Sequence, residues 1–366
     1  MADYNRIDTM VYATVLSRPG KIAICPFAEE GMMAKQILNQ RYGIVEDYIV
    51  DNRLARINSR ILTTSDMKEK DLKGLFVLLM ISNREVNQIL EGQLERLRER
   101  EPELIIQNIL RPTRMIVPNA RDYFYKIKKS LIVKSPACEN KLIRVGRDYA
   151  GGYVLLDDFD ASMKVYSFGI ENDVSFEKDL ANRGLMIFMY DHTIGDLPEK
   201  HEKFCYHSLG ISHKDEMEHR KLSLKTILEK NGDIGNNNLI LKMDVEGAEW
   251  DVIMNTPSEI WNQFKQMTFE FHRVTDLDNP NILPALQKLN RTHQVVWVHG
   301  NNYGYVGKAG DIEIPAYLEL TYLNRMQYQT SPAICNFPLD VDSPTDPSID
   351  EIVLGNWGAV SQTSYE

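Results

Sequence analysis

Cysteine is scarce: four residues in 366, Cys25, Cys138, Cys205 and Cys335, with no CxxC pair among them. That spacing excludes both a zinc cage and a disulfide framework and predicts unlinked, buried thiols. No apolar run approaches the ~18 residues of a membrane span, and Met1-Ala2-Asp3-Tyr4-Asn5-Arg6 lacks the apolar core of a secretory leader, so a cytoplasmic protein is expected. Positive charge is in deficit, at a formal net charge of −10. This argues against a nucleic-acid partner, because phosphate contacts require a basic face. The sequence also has no internal repeat and no low-complexity tract. What it has is apolar material, 43% hydrophobic and 9% aromatic, in a chain longer than one typical domain. That is enough for two packed cores.

The first of these begins as a β-α-β unit. Lys21-Ile22-Ala23-Ile24-Cys25 reads as a short strand, Glu30 to Gln40 as a helix, and Tyr48-Ile49-Val50 as a strand ending at Asp51. Leu75 to Ile81 supplies another buried strand, and Val86 to Leu97 an amphipathic helix with Ile89, Leu90, Leu94 and Leu97 on one side. Proline and charge punctuate the chain at Glu101-Pro102 and Arg111-Pro112, and Asn119 to Lys129 reads as a bridging helix. We therefore divide the chain into residues 1–125 and 126–366, both of α/β class.

The most informative stretch lies in the second part. Leu239-Ile240-Leu241-Lys242-Met243 follows an Asn-rich turn and ends abruptly in Asp244-Val245-Glu246-Gly247-Ala248-Glu249. The apolar run predicts an interior strand of a parallel sheet, with the carboxylates at its C-terminal tip. In open α/β sheets ligands bind beyond these tips, so the acids stand where chemistry is done. The competing reading is structural: Asp244 caps the next helix while Glu246 and Glu249 favour its positive end.

The string Lys242 to Trp250 resembles the signature of FkbM-type S-adenosylmethionine-dependent methyltransferases, and flanking segments agree with it in order. Upstream these are Arg144-Val145-Gly146, Gly151-Gly152-Tyr153-Val154 (with Ala150 where the family has Asp), Val165 to Gly169, and Met186 to Asp191. Downstream come Thr268 to His272, His299-Gly300-Asn301-Asn302, and Glu319 to Tyr322. The resemblance implies two Rossmann-like units, the C-terminal one a class I methyltransferase-type, mostly parallel sheet with helices on both faces. It is similar in front as well, to the small nucleotide-binding-like modules that precede such domains. Here, however, the first turn is Pro26-Phe27-Ala28-Glu29-Glu30-Gly31, with acids where a phosphate would approach and a proline that offers no N–H. The first module is thus expected to serve scaffolding or self-association into a homo-oligomer.

The resemblance also implies roles for particular residues. Ser167, Gly169, Glu171, Asp191, Asp244 and Glu246 would hold S-adenosylmethionine, Gly169 by permitting close backbone approach and Asp191 by accepting ribose hydroxyls. His272, Asp244 and Glu270 would be catalytic, His272 as the base that takes the acceptor's hydroxyl proton. A divalent metal held by Asp244 and Glu270, with Asn301 or Asn302 completing the shell, is an alternative mechanism. Tyr153, His299, Asn301 and Asn302 would meet the substrate, and Tyr206, His207, Trp297, His299 and Tyr303 could line an aromatic pocket. The activity implied is O-methylation of a sugar, glycan or nucleotide-sugar hydroxyl. Two other readings stand beside it: an inactive binding or assembly protein, and a nucleotide-sugar-modifying enzyme using the first module. The tail Phe337 to Pro344 is read as an irregular segment that closes over the site.

Overall fold

The computed structural model describes residues 4–333 and 336–358. Two compact units form. One contains the chain up to Arg121 together with residues 302–314 and 346–351; the other contains 122–301, 315–345 and the chain from 352. The first unit therefore takes back two late segments that a single boundary at 125/126 does not include.

In the first unit, α1 (Tyr4–Leu16) precedes β1 (Lys21–Cys25), α2 (Glu29–Tyr42), β2 (Tyr48–Ile49), β3 (Leu75–Leu79), α3 (Arg84–Glu95) and β4 (Ile105–Asn108). The four strands are parallel, in the order β2-β1-β3-β4. All five residues of β3 are buried, which is why Leu75 to Leu79 reads as unbroken apolar sequence rather than as an alternation. Asn83 caps α3 by accepting from Val86 N–H, and Leu90 and Leu94 turn inward one turn apart. A fifth strand, β5 (Thr113–Ile116), leaves the parallel sheet.

The second unit opens in α4 (Arg121–Ser130), the expected bridging helix, with Phe124 and Ile127 buried. After β6 (Lys134–Pro136) come the hairpin strands β7 (Leu142–Val145) and β8 (Tyr153–Leu156), then β9 (Lys164–Phe168), α5 (Ser175–Asn182), β10 (Met186–Tyr190) and β11 (Phe204–His207). The short pair β12 (Gly210–Ile211) and β13 (Lys221–Leu222) leads to α6 (Leu224–Lys230) and β14 (Leu239–Met243). There follow α7 (Glu249–Asn255), α8 (Ser258–Trp261), β15 (Phe264–Phe271), α9 (Ile282–Thr292) and β16 (His293–Gly300). β17 (Tyr305–Ala309), which falls in the first unit, pairs with β5, β18 (Ile312–Pro315) pairs with β17, and β19 (Leu318–Asn324) completes the main sheet.

That sheet has seven strands in the order β11-β10-β9-β14-β15-β19-β16, parallel throughout except for β19, which runs antiparallel to both neighbours. The chain steps outward from β9 to β11, then returns to β9's other side at β14. This reversal puts the topological switch point between β9 and β14, the position at which open α/β sheets bind ligands. It is the class I methyltransferase-like arrangement that the sequence implies. A core of Val165, Ile187, Met189 and Ile240 from the strands packs with Phe176 and Leu180 of α5. Burying each such side chain contributes roughly 1.5–3 kcal/mol, so the central strands hold their tips rigidly.

Of the thiols, Cys25 is buried as expected, whereas Cys138 is exposed and Cys205 only half-buried. Both lie at strand margins rather than in a core. Cys335 lies outside the described residues.

Candidate active site

Gly169 follows β9 directly and adopts a left-handed conformation, φ 79°. A Cβ there would stand 1.7 Å from the Asp244 carbonyl oxygen at the tip of β14, so no larger residue fits between the two strand ends. Lys242, buried within β14, sends its Nζ to the Gly169 carbonyl and lies 5.6 Å over the Tyr153 ring. Asp191, at the tip of β10, braces the same turn. Its Oδ2 accepts from Ile170 N–H (2.9 Å) and Glu171 N–H (3.0 Å), and its Oδ1 from the N–H and hydroxyl of Thr193. Burial works against its charge but is outweighed by these donors, and its carboxyl sits below the usual range. All four contacts are internal, so Asp191 shapes the turn that a ligand would meet. Ser167 is fully buried and its hydroxyl is spent on Glu177, inside the sheet rather than at its edge. Glu171 is exposed, with φ 50°.

The tips of β14 and β15 carry a tight group of ionisable side chains. Asp244 does not cap α7: the cap position is Ala248, and it makes no side-chain cap bond. Asp244 instead accepts from the Tyr153 hydroxyl at 3.0 Å. Nε2 of His272, the residue after β15, faces Glu246 Oε2 at 3.4 Å, Glu270 Oε1 at 3.6 Å and Asp244 Oδ1 at 3.7 Å. Its Nδ1 meets Glu249 Oε1 at 3.0 Å, and its carbonyl accepts from Trp250 Nε1 at 2.8 Å. Burial lowers the proton affinity of this ring, but the Glu249 bond and the surrounding carboxylates overcome it and raise the pKa to about 9.

Glu270 faces Glu319 directly across the β15–β19 pair, an arrangement of like charges that costs stability. Burial, then the charges of Asp244 and Glu319, push its carboxyl well above the usual range, while His272 pulls the other way. Asn301 Nδ2 donates to Glu270 Oε1 at 2.8 Å. His299 Nδ1 meets Glu319 Oε2 at 3.1 Å, which extends the polar row from β15 through β19 to β16. Three non-glycine residues near these tips are left-handed: Glu171, Glu246 (φ 57°) and Arg273 (φ 55°). Strain of this kind persists where surrounding structure enforces it and gathers at functional sites.

The structure thus brings Tyr153, Asp244, Glu246, Glu270, His272 and Asn301 together. Asn302 is elsewhere: it belongs to the first unit, where its amide holds the carbonyls of Asp346 and Ile349. The aromatic set also divides. Tyr206 and His207 sit on β11 at one edge of the sheet, Trp297 and His299 on β16 at the other, and Tyr303 in the first unit. The tail segment is tied to β16 and to the β7–β8 loop: Trp297 Nε1 donates to Asp342 Oδ1 at 2.7 Å, and Ala150 N–H to the Thr345 carbonyl at 3.2 Å. Sequence reading gave Glu249 only a helix-dipole role and Glu319 no site role; as the first residue of α7, directly after the carboxylate-rich tip of β14, Glu249 stood near enough to be a candidate.

In the first unit the expected phosphate turn is filled by the chain itself. Glu30 Oε1 accepts from the Ser82 hydroxyl at 2.6 Å, and Asp51 accepts from Phe27 N–H at 3.2 Å. Beyond the strand tips there is a cavity of about 270 Å³ lined by Arg6, Glu30, Ser82 and Arg84 and bordered by residues 346–349. No helix among the described residues is long and apolar enough to cross a membrane.

Residues 151–306 match the model of the methyltransferase FkbM domain. That match spans the Gly169 turn and the group at the tips of β14 and β15, and a methyltransferase domain of this kind uses S-adenosylmethionine as methyl donor. Among solved structures, the chain is similar to a mutant of the 16S rRNA (adenine(1408)-N(1))-methyltransferase from Catenulisporales acidiphilia, at 10% identity and a TM-score of 0.24, over 50% of this chain and 98% of that one. A likeness at that score carries no argument about fold or substrate. No curated protein matches the chain.

Proposed function

We propose that the methyltransferase FkbM domain of this chain transfers a methyl group from S-adenosylmethionine to a hydroxyl oxygen of a sugar, glycan or nucleotide sugar. One observation carries this reading: the Gly169 turn, which excludes a side chain at 1.7 Å from Asp244, adjoins carboxylates that can take a proton, Asp244 and Glu270, set beside His272. In the reaction the acceptor's O–H proton passes to that group. The oxygen attacks the methyl carbon, a C–O bond forms as the C–S bond breaks, and the electron pair leaves on sulfur as a neutral thioether. Holding donor and acceptor in line supplies much of the acceleration.

The backbone at Gly169 and the exposed Glu171 carboxylate face the cofactor, Asp191 fixes their geometry, and Tyr153, His299 and Asn301 lie on the acceptor side. A carbohydrate acceptor is supported by the polar row Glu270, Glu319 and His299, since clustered carboxylates and imidazole suit a ligand with several hydroxyls. The test is calorimetry with S-adenosylmethionine, followed by a panel of hydroxylated sugars and nucleotide sugars scored for release of the demethylated cofactor. Saturable cofactor binding and turnover on a panel member are expected. A chain that binds no cofactor would be an assembly or binding protein instead.

A further inference from the structure

We infer that Asp244, Glu246 and His272 form a binding site for one divalent first-row transition cation, with Glu249 as the residue that aims the histidine. The donor atoms, two carboxylate oxygens and Nε2 of His272, all lie within 4.8 Å of one another. A shell with bonds of about 2.0–2.2 Å separates neighbouring donors by about 3.0–3.6 Å. The His272 Nε2 distance of 3.4 Å to Glu246 falls within that spacing, and the 3.7 Å to Asp244 lies just outside it.

Three further observations point the same way. The imidazole is oriented from behind: Glu249, fully buried, takes Nδ1 at 3.0 Å, the carboxylate–histidine pairing that presents Nε2 to a metal. Glu249 Oε1 also accepts from Val245 N–H at 2.9 Å, which fixes the carboxylate behind the ring, while its second oxygen is buried and meets no donor among the described residues. Glu246 reaches the group only because its backbone is left-handed, ahead of Gly247 at φ 101°. The three donors also differ in exposure, with side chains 6% exposed at His272, 26% at Asp244 and 88% at Glu246. One flank is therefore sealed and the other open to an incoming oxygen, as in catalytic rather than structural metal sites.

The donor set selects the ion. Magnesium and calcium favour all-oxygen shells, whereas an imidazole beside carboxylates suits manganese or iron(II). This ligand set differs from the pair Asp244 and Glu270 suggested by the sequence: Glu270 accepts from Asn301 Nδ2 at 2.8 Å and is left out of the shell. The cation's chemical use, as a Lewis acid on the acceptor hydroxyl, rests on the methyl-transfer reading; its binding does not. With Nε2 given to the cation, Glu270 is left to receive the hydroxyl proton.

The experiment is titration of chelator-stripped, full-length protein with Mn²⁺, following free Mn²⁺ by electron paramagnetic resonance, beside calorimetry with S-adenosylmethionine on the same stripped sample. One Mn²⁺ per chain is expected. Asp244→Asn and His272→Ala should each weaken it by at least ~10-fold, and Glu249→Gln by ~10–100-fold. Glu246→Gln, on an exposed side chain that holds no core together, should do the same without changing thermal stability. Absence of saturable Mn²⁺ binding by the parent, or unchanged affinity in Glu246→Gln, overturns the site. Mn²⁺ binding without cofactor binding leaves the site and removes the methyl-transfer reading; cofactor binding without Mn²⁺ does the reverse.

Discussion

Glu249 holds Nδ1 of His272 at 3.0 Å from the first residue of α7, so the start of one helix sets the direction of a ring at the end of the neighbouring strand. Asp244, Glu246 and Glu270 then share the ring's other nitrogen. The proposed chemistry of the second unit rests on this convergence.

Gly169→Ala should cost about 3 kcal/mol or more, because it combines a disfavoured left-handed backbone with a Cβ driven into the Asp244 carbonyl. Cofactor binding should be lost with it. Chemical denaturation and calorimetry read the two effects, and a variant with parental stability and affinity would remove Gly169 from the site.

Asp191→Ala leaves the N–H groups of Ile170, Glu171 and Thr193 without their acceptor. A stability loss of about 2–4 kcal/mol is expected, with cofactor affinity weakened because the turn loses its brace. If affinity falls while stability does not, Asp191 contacts the ligand directly and its internal bonds are secondary.

Glu270→Gln should lower turnover by ~10²–10⁴-fold while cofactor affinity stays at the parental value. Stability should rise slightly or hold, since the opposed pair Glu270 and Glu319 loses one charge. Parental turnover in this variant would mean that the hydroxyl proton goes elsewhere.

His293 supplies a pH dependence outside the site. Burial lowers its pKa to about 4 from the ordinary histidine value of about 6.5, and its Nε2 is bonded to the Phe264 carbonyl. The folded state therefore binds its proton less readily than the unfolded chain, so stability is full above pH 6.5 and is lost as pH falls towards 4. The share due to His293 reaches about 3 kcal/mol. Urea denaturation at pH 7 and pH 4.5 should show a shallower loss for His293→Gln than for the parent; equal slopes would contradict the assignment.

NAD should show no saturable binding to the full chain. The first turn of α2 presents Glu29 and Glu30, and the residue before it, Ala28, offers no side-chain cap. Micromolar binding would restore a ligand role to the first unit.

Strand and helix content was legible wherever burial was uniform. β3 and β14 are buried along their whole length and read as apolar runs, whereas Gly169 and Asp191 were placed at strand tips through the family resemblance, their strands β9 and β10 being less uniformly buried. The aromatic pocket was not legible, because strand positions say nothing of strand order: β11 and β16 lie at opposite edges of the sheet. Asn301 and Asn302 show the same limit at closer range. Adjacent in the chain, one donates to Glu270 and the other belongs to a different compact unit.

The local pattern of residues decided the two α/β units and the carboxylates at the tip of β14, because periodicity and charge are properties of neighbouring positions. Only the tertiary structure decided what those carboxylates face. Strand order carries β15 beside β14 and β19 against β15, across at least 20 residues of intervening chain in each case. The opposition of Glu270 to Glu319, and the imidazole set among Asp244, Glu246 and Glu249, come from that pairing and from no local rule.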